Sequence, residues 1–277
     1  MGKPTILITG CSSGIGYDAA HGLTRAGWRV FATCRKDSDM ERLTAEGLES
    51  WRLDYEDEDT IGAALDEALS RTGGRLDAVF NNGAYAIPGL VEDMPTGALR
   101  AIFETNVFGQ HDLTRRAIKV MRAQGYGRIL FNSSILGFTA LPWRGAYNST
   151  KYALEGYCDT LRREMRGTGI HVVLIQPGPI TALIRQNSIP HFEKWFDAAA
   201  SARADEYESK LKPRLYKLAD TPDPFELPAS AVTRVVERAL TARSPRARYR
   251  ITTPTKVAAL GKRLLPTRLQ DFILARL

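Results

Sequence analysis

The stretch that most restricts what this chain can become lies near its start. Thr5-Ile6-Leu7-Ile8-Thr9 is a short apolar run of strand composition, and Gly10-Cys11-Ser12-Ser13-Gly14-Ile15-Gly16 follows it directly. Beyond the glycines, Ala19, Ala20 and Leu23 recur at helical spacing. A strand, a glycine-rich turn and a helix in that order leave free N–H groups and the positive end of a helix dipole at one place. No side chain there keeps a pyrophosphate away. A glycine pattern alone is weak evidence, but this context argues for a dinucleotide cradle at Gly10, Ser12, Ser13, Gly14, Ile15 and Gly16.

The rest of the chain repeats that unit. Strand-like runs at Trp28–Thr33, Val79-Phe80, Arg128–Phe131 and His171–Ile175 alternate with helical patterns as far as Thr181. Such alternation predicts an α/β fold, a doubly wound parallel sheet with helices on both faces. No internal repeat or low-complexity linker divides the 277 residues, so a single domain over 1–277 is expected. Residues 182–227 break the rhythm: Phe192, Trp195, Phe196, Tyr207, Tyr216 and Phe225 stand among charges, with no strand. This insert reads either as a lid at the ligand end of the sheet or as a helical excursion whose aromatics pack on the body. Ala229–Ala242 then reads as a helix, and Tyr249–Thr252 as a last strand.

Cys34-Arg35-Lys36 ends the second strand, about 20 residues beyond the glycines, where an NAD-binding fold commonly holds an acid for the ribose 2′-hydroxyl. Two cations there suit a 2′-phosphate instead. Asp37 follows and offers the alternative acid. The cations favour NADP(H) over NAD(H).

The chemistry centres on Asn132-Ser133-Ser134 through Lys151. Tyr147 and Lys151 lie four apart in a segment that reads as a helix opening, hence on one face. A fixed cation beside a phenol favours the phenolate, so the Tyr147 pKa is expected to fall from about 10 toward working pH. That makes Tyr147 a candidate general acid or base at a carbonyl or alcohol oxygen. Ser134, at a strand end, can donate a second hydrogen bond to the same oxygen. Asn106 sits in the helical pattern Ile102–Phe108, flanked by apolar residues, where an amide needs a partner if buried.

Composition removes other classes. His21, His111, His171 and His191 show no paired-ligand spacing, so no metal site is expected. Cys11, Cys34 and Cys158 are an odd set with no CxxC, which fits free thiols in a reducing compartment. No apolar run approaches the roughly 18 residues of a membrane span. The strand begins too early for a signal peptide, so the protein is expected in the cytoplasm. The net charge of +7 sits in the tail: from Thr241 onward nine Lys/Arg face only Asp271, leaving the rest at −1. Residues 256–277 form a basic amphipathic segment that could lie on an anionic membrane surface. Packing on its own subunit or a partner is the favoured expectation. Nucleic-acid binding is not expected, because no stacking aromatics interleave the cations.

Taken together, these residues resemble the short-chain dehydrogenase/reductase family, over about residues 4 to 255. Gly10 and Gly14 have the family's wider glycine spacing, and Tyr147 with Lys151 match its YxxxK. Ser134 precedes Tyr147 by thirteen residues, as the family's serine does, and Asn106 matches its fourth catalytic position. The opening, the insert and the Leu-Leu-Pro of the tail look like bacterial NADP-dependent aldehyde reductases and the retinol/17-beta-hydroxysteroid dehydrogenase branch. Two departures stand out: the usual Asn-Asn-Ala-Gly is Asn81-Asn82-Gly83-Ala84, and Ser13 replaces the basic residue of one NADP-using subgroup.

The resemblance implies a Rossmann-like fold and a homodimer or homotetramer. It also implies a hydrophobic carbonyl or alcohol substrate. Tyr147 would protonate the carbonyl oxygen, Ser134 would orient it, and Lys151 would hold the nicotinamide ribose. Asn106 would anchor a water. Asp54, at the end of a Trp51–Asp54 strand, would meet the adenine, with Asn82, Gly83 and Ala84 beside its ribose. Pro177, Gly178 and Thr181 would hold the nicotinamide side. An NADP-binding sensor without turnover is the rival from another class, and a membrane-associated retinol, steroid or lipid-carbonyl dehydrogenase a third reading.

Overall fold

In the computed structural model, which describes residues 2–217 and 223–276, seven parallel strands form one sheet in the order β3-β2-β1-β4-β5-β6-β7. In chain order the elements are β1 (Thr5–Ile8), α1 (Gly14–Arg25), β2 (Arg29–Cys34), α2 (Asp37–Ala45), β3 (Glu49–Arg52), α3 (Glu58–Ser70) and β4 (Ala78–Asn81). Then come α4 (Thr96–Phe103), a π-helical turn (Glu104–Gly109), α5 (Gln110–Gln124), β5 (Gly127–Asn132), α6 (Gly145–Glu164) and β6 (Ile170–Gln176). The insert holds α7 (Ile184–Trp195), α8 (Ala204–Glu206), a π-helical turn (Tyr207–Leu211) and α9 (Lys212–Leu215). The chain ends with α10 (Ser230–Thr241), β7 (Arg248–Arg250), α11 (Thr253–Leu264) and α12 (Thr267–Leu274).

The sheet is covered on both sides because its strands are apolar at successive positions, not alternate ones. Ile6 and Ile8 enter a core with Ala19, Leu23 and Val236 from α1 and α10. Leu7, between them, points the other way, into a core with Leu65, Leu113 and Leu154 from α3, α5 and α6. Strand order reverses between β1 and β4, and the ends of β1, β4, β5 and β6 bring Gly10, Asn82, Ser134 and Pro177 to one edge. That edge is where such sheets bind ligands.

The strand expected at Trp51–Asp54 is displaced. β3 runs Glu49–Arg52 at the edge of the sheet, and Asp54 lies two residues beyond it, its carboxylate accepting the Glu56 N–H at 3.1 Å. The edge position explains the shift: β3 is only half-buried, so its sequence carries no apolar signature.

Within the insert, Phe192, Phe196 and Tyr207 are buried in a third core with Ile87, Leu90 and Tyr147. Tyr216 and Phe225 do not join it and stand exposed. Residues 218–222 of the expected lid lie outside the described residues.

The tail packs on its own subunit only in part. Thr255 is buried, and its hydroxyl meets that of Thr252 at 2.9 Å, so α11 starts against the body. Beyond that turn Val257, Leu260, Leu264 and Phe272 are 59–66% exposed, so the apolar side of the tail does not pack on its own subunit. No helix among the described residues is long and apolar enough to cross a membrane.

Candidate functional site

The glycine turn is built by close approach. Gly10 has φ +68°, and a Cβ there would stand 2.7 Å from the Cα of Gly83. At Gly16 a Cβ would be 2.2 Å from the Gly10 carbonyl oxygen. A Cβ at Gly83 would meet Tyr55 at 3.2 Å and the Gly10 nitrogen at 3.5 Å, so nothing in the packing on Gly10 explains the Gly83-Ala84 order. Asn82 donates its amide to the carbonyls of Thr9 (2.9 Å) and Gly10 (3.2 Å) and accepts from Asn132 at 2.8 Å. Ser13 caps α1 through its backbone position only, with no side-chain bond to the helix, and Ile15 packs partly buried against the core. The first N–H groups of α1 therefore remain available to an anion.

Around this turn stand Ser12, whose carbonyl accepts the Arg42 guanidinium at 2.6 Å, and Gly14, φ +57°, facing Ala182 of the insert. Arg35 and Lys36 are exposed just past β2, and Asp37 opens α2. A small-residue cradle at a helix N-terminus fits a dinucleotide pyrophosphate, with Arg35 just beyond β2. Pro177 is buried, its carbonyl accepting Ile135 N–H at 2.7 Å, and Gly178 backs onto the hydroxyls of Thr252 and Thr255. Thr181 is tied through its N–H to the Leu227 carbonyl at 2.9 Å. Arg42 was invisible to the sequence reading, since nothing local says that a helix Arg reaches a turn thirty residues earlier.

Ser134 and Tyr147 come together as the spacing requires. The Ser134 hydroxyl caps a short turn, accepting Leu136 N–H at 3.1 Å, and lies near enough to the Tyr147 phenol to favour its ionised form. Lys151, 1% exposed, lies with its Nζ 5.3 Å from the Tyr147 ring centre and donates to the Asn132 carbonyl at 2.7 Å. One continuous set of bonds thus runs from Lys151 through Asn132 and Asn82 to the glycine turn.

The expected fall in the Tyr147 pKa is reversed in this structure. Burial pushes the phenol well above its ordinary value, with Ser134 and the charge of Arg144 pulling the other way. Burial also lowers Lys151 to about 8, opposed by the nearby Glu155 carboxylate. Desolvation is the largest influence on each because both side chains are buried. At neutral pH the phenol holds its proton, the form a general acid needs.

Asn106 lies in the π-helical turn between α4 and α5, fully buried. Its carbonyl accepts Tyr85 N–H at 3.0 Å, and its amide donates to the Tyr85 carbonyl (2.9 Å) and the Thr150 hydroxyl (3.2 Å). Both amide hydrogens are taken up by protein groups. Ala84 precedes the Tyr85 that Asn106 holds.

Glu155, one turn beyond Lys151, was missed, although the i,i+4 spacing could have signalled it. Its carboxylate accepts from Ser133 (2.5 Å), Gln176 (2.8 Å) and Arg248 (3.0 Å), tying α6 to β5, β6 and β7.

A sheet-end dinucleotide cradle beside a Ser-Tyr-Lys set defines a nucleotide-binding oxidoreductase. The model of the short chain dehydrogenase family matches residues 4–191, and the chain belongs to that family. The uncharacterized oxidoreductase YbbO of Escherichia coli K12 is 36% identical over 275 residues, covering 98% of this chain and 94% of its own. Retinol dehydrogenase 7 of Mus musculus is 31% identical, with 97% and 87% covered. Among solved structures, a short-chain dehydrogenase from Streptomyces avermitilis superposes with a TM-score of 0.78 at 25% identity, covering 98% and 96%.

Proposed function

We propose that this protein is an NADP(H)-dependent reductase of aldehydes or ketones carried on a hydrophobic body, or the dehydrogenase of the corresponding alcohols. The observation that carries the reading is the convergence of Ser134, Tyr147 and Lys151 at the sheet edge that holds the glycine cradle. When bound, the dinucleotide supplies the hydride. Ser134 orients the carbonyl oxygen with a hydrogen bond, and Tyr147 gives that oxygen its proton. The Lys151 ammonium stabilises the phenolate left behind. Asn106 braces Tyr85 and the first turns of α6. The apolar insert around Phe192 and Phe196 supports a hydrophobic substrate, and the mouse retinol dehydrogenase among the relatives agrees with it.

Cofactor choice rests on Arg35. A charged hydrogen bond of about 1.5–3 kcal/mol corresponds to roughly 10-fold or more in affinity. Arg35 is exposed, so the lower end applies. Arg35→Ala is expected to raise the KM for NADPH about tenfold and to leave that for NADH nearly unchanged. Equal effects on both cofactors would remove Arg35 as the selector.

The Lys151 pKa sets a pH limit. Below about 8 the ammonium is present; above it the charge is lost while Tyr147 keeps its proton. Reduction is expected to run level at neutral pH and fall on the alkaline side of about 8. Glu155 favours the ammonium, so Glu155→Gln moves that fall to lower pH. A pH–rate profile unmoved by the substitution would show that Lys151 does not set the limb.

The deciding test is absorbance loss from NADPH and NADH against a panel of aldehydes and ketones. Turnover with NADPH supports the proposal; NADPH binding without turnover on any member replaces it with the sensor reading.

A further inference from the structure

Where α6 begins, Arg144, Gly145 and Asn148 line a cavity of about 1000 Å³, and its wall is both apolar and cationic. Leu90, Val91, Leu141 and Trp143 supply the apolar part. The charged lining is five cations (Arg144, Arg203, Lys210, Arg214 and Arg276) against two acids, Glu92 and Glu206. Those acids are already bridged: Arg203 reaches Glu92 at 3.1 Å and Glu206 at 2.6 Å, and Lys210 reaches Glu206 at 2.7 Å. Neither acid of the wall is paired with Arg144.

Arg144 is the member closest to the chemistry. It holds the N-cap position of α6, three residues before Tyr147, and its charge acts on the phenol. Its backbone carbonyl accepts Asn148 N–H at 2.7 Å, but its half-buried guanidinium makes no hydrogen bond or ion pair with any described residue. Arg214 and Arg185 add to the positive field around it, and burial first, then these charges, push its pKa down to about 10. The acid in that field, Asp223, is taken by Arg185 at 2.9 Å and Lys217 at 3.1 Å. A guanidinium set there only for structure would be paired, because desolvating an unpaired charge is costly.

The backbone enforces the placement. Trp143, immediately before it, has φ +68°, a conformation rare for a non-glycine residue. The Trp143 carbonyl accepts Gly89 N–H at 3.0 Å, and its ring meets Tyr207 of the insert edge-on at 5.1 Å. Strain held by its surroundings gathers at functional positions.

We propose that Arg144 binds an oxyanion on the substrate, so that the preferred substrates are carbonyl compounds bearing a carboxylate or sulfonate group on an apolar body. This rests on the oxidoreductase reading and narrows its substrate class; Arg144 determines specificity, while Tyr147 acts on the carbonyl.

The test compares an apolar oxo-carboxylate, the oxo-sulfonate of the same skeleton and the methyl ester of the carboxylate, on wild type, Arg144→Met and Arg144→Lys. In wild type the KM for the ester is expected to exceed that for the carboxylate at least tenfold. In Arg144→Met the ratio falls toward one, and Arg144→Lys keeps part of it. Equal KM values in wild type, or a ratio that survives in Arg144→Met, overturns the proposal. Preference for the sulfonate over the carboxylate, lost in Arg144→Met, identifies the oxyanion. If no carbonyl is turned over, the reaction reading fails, yet calorimetric binding of the oxo-carboxylate to the wild type and Arg144→Met still decides whether Arg144 holds the anion.

Discussion

Tyr147→Phe is expected to lower the rate of carbonyl reduction by about 10²–10⁴-fold, the usual contribution of a positioned general acid. The substitution removes one oxygen and little else. The ring is 9% exposed and packs with Ala86, Ile87 and Leu90, contacts that Phe retains. The phenol's interaction with the nearby Ser134 hydroxyl is lost, at most the typical net value of a hydrogen bond, about 1 kcal/mol. The melting temperature and NADPH affinity should therefore stay near those of the wild type while turnover collapses. The proton is present to be given, since burial holds the phenol protonated well above neutral pH. Single-turnover rates with saturating NADPH separate the chemical step from binding. A variant that retained a tenth of the wild-type rate would show that the proton comes from elsewhere, with Ser134 the next group to examine.

How much of this site the sequence reveals depends on whether each feature is local. The glycine turn is local: Gly10 follows β1 and Gly14 and Gly16 open α1, so strand, turn and helix can be anticipated from one short stretch. Tyr147 and Lys151 share a helix face by periodicity, and Ser134 stands at the end of β5. The electrostatics were not legible. The spacing says that a cation is near the phenol, but only the packed structure shows that both are buried deeply enough for desolvation to govern. Arg42 on the glycine turn and Arg144 beside Tyr147 depend on which loops converge, which no periodicity encodes. The tail illustrates the converse limit. An amphipathic pattern looks the same whether its apolar face is covered or open, and Leu260, Leu264 and Phe272 turn out to be open. Asn106 was legible as a residue needing partners, while the π-helical turn that aims it at Tyr85 and Thr150 was not.

Because the cradle and Lys151 are joined by hydrogen bonds, one methyl group at Gly16 is expected to damage both. A Cβ at Gly16 would stand 2.2 Å from the Gly10 carbonyl oxygen and 2.6 Å from the Asn82 amide nitrogen. Neither neighbour can yield cheaply. The first is backbone, and the second is fixed to the Thr9 and Gly10 carbonyls and to Asn132. Moving Asn82 disturbs Asn132, whose carbonyl holds Lys151. Overpacking of this kind costs about 1–3 kcal/mol, which corresponds to roughly 5- to 150-fold if it is expressed in dinucleotide affinity. Gly16→Ala should therefore weaken NADPH binding within that range, lower the melting temperature and reduce turnover of bound substrate. Gly156→Ala provides the contrast, because a Cβ there meets nothing within 4 Å and the residue lies inside α6. Alanine in a helix interior is worth about 0.5–1 kcal/mol over glycine, so that variant should melt higher and bind NADPH as before. Fluorescence titration with NADPH and thermal melts of the two variants check both signs. If Gly16→Ala bound NADPH like the wild type, the turn would not be the cradle, and the pyrophosphate would have to be sought elsewhere on the sheet edge.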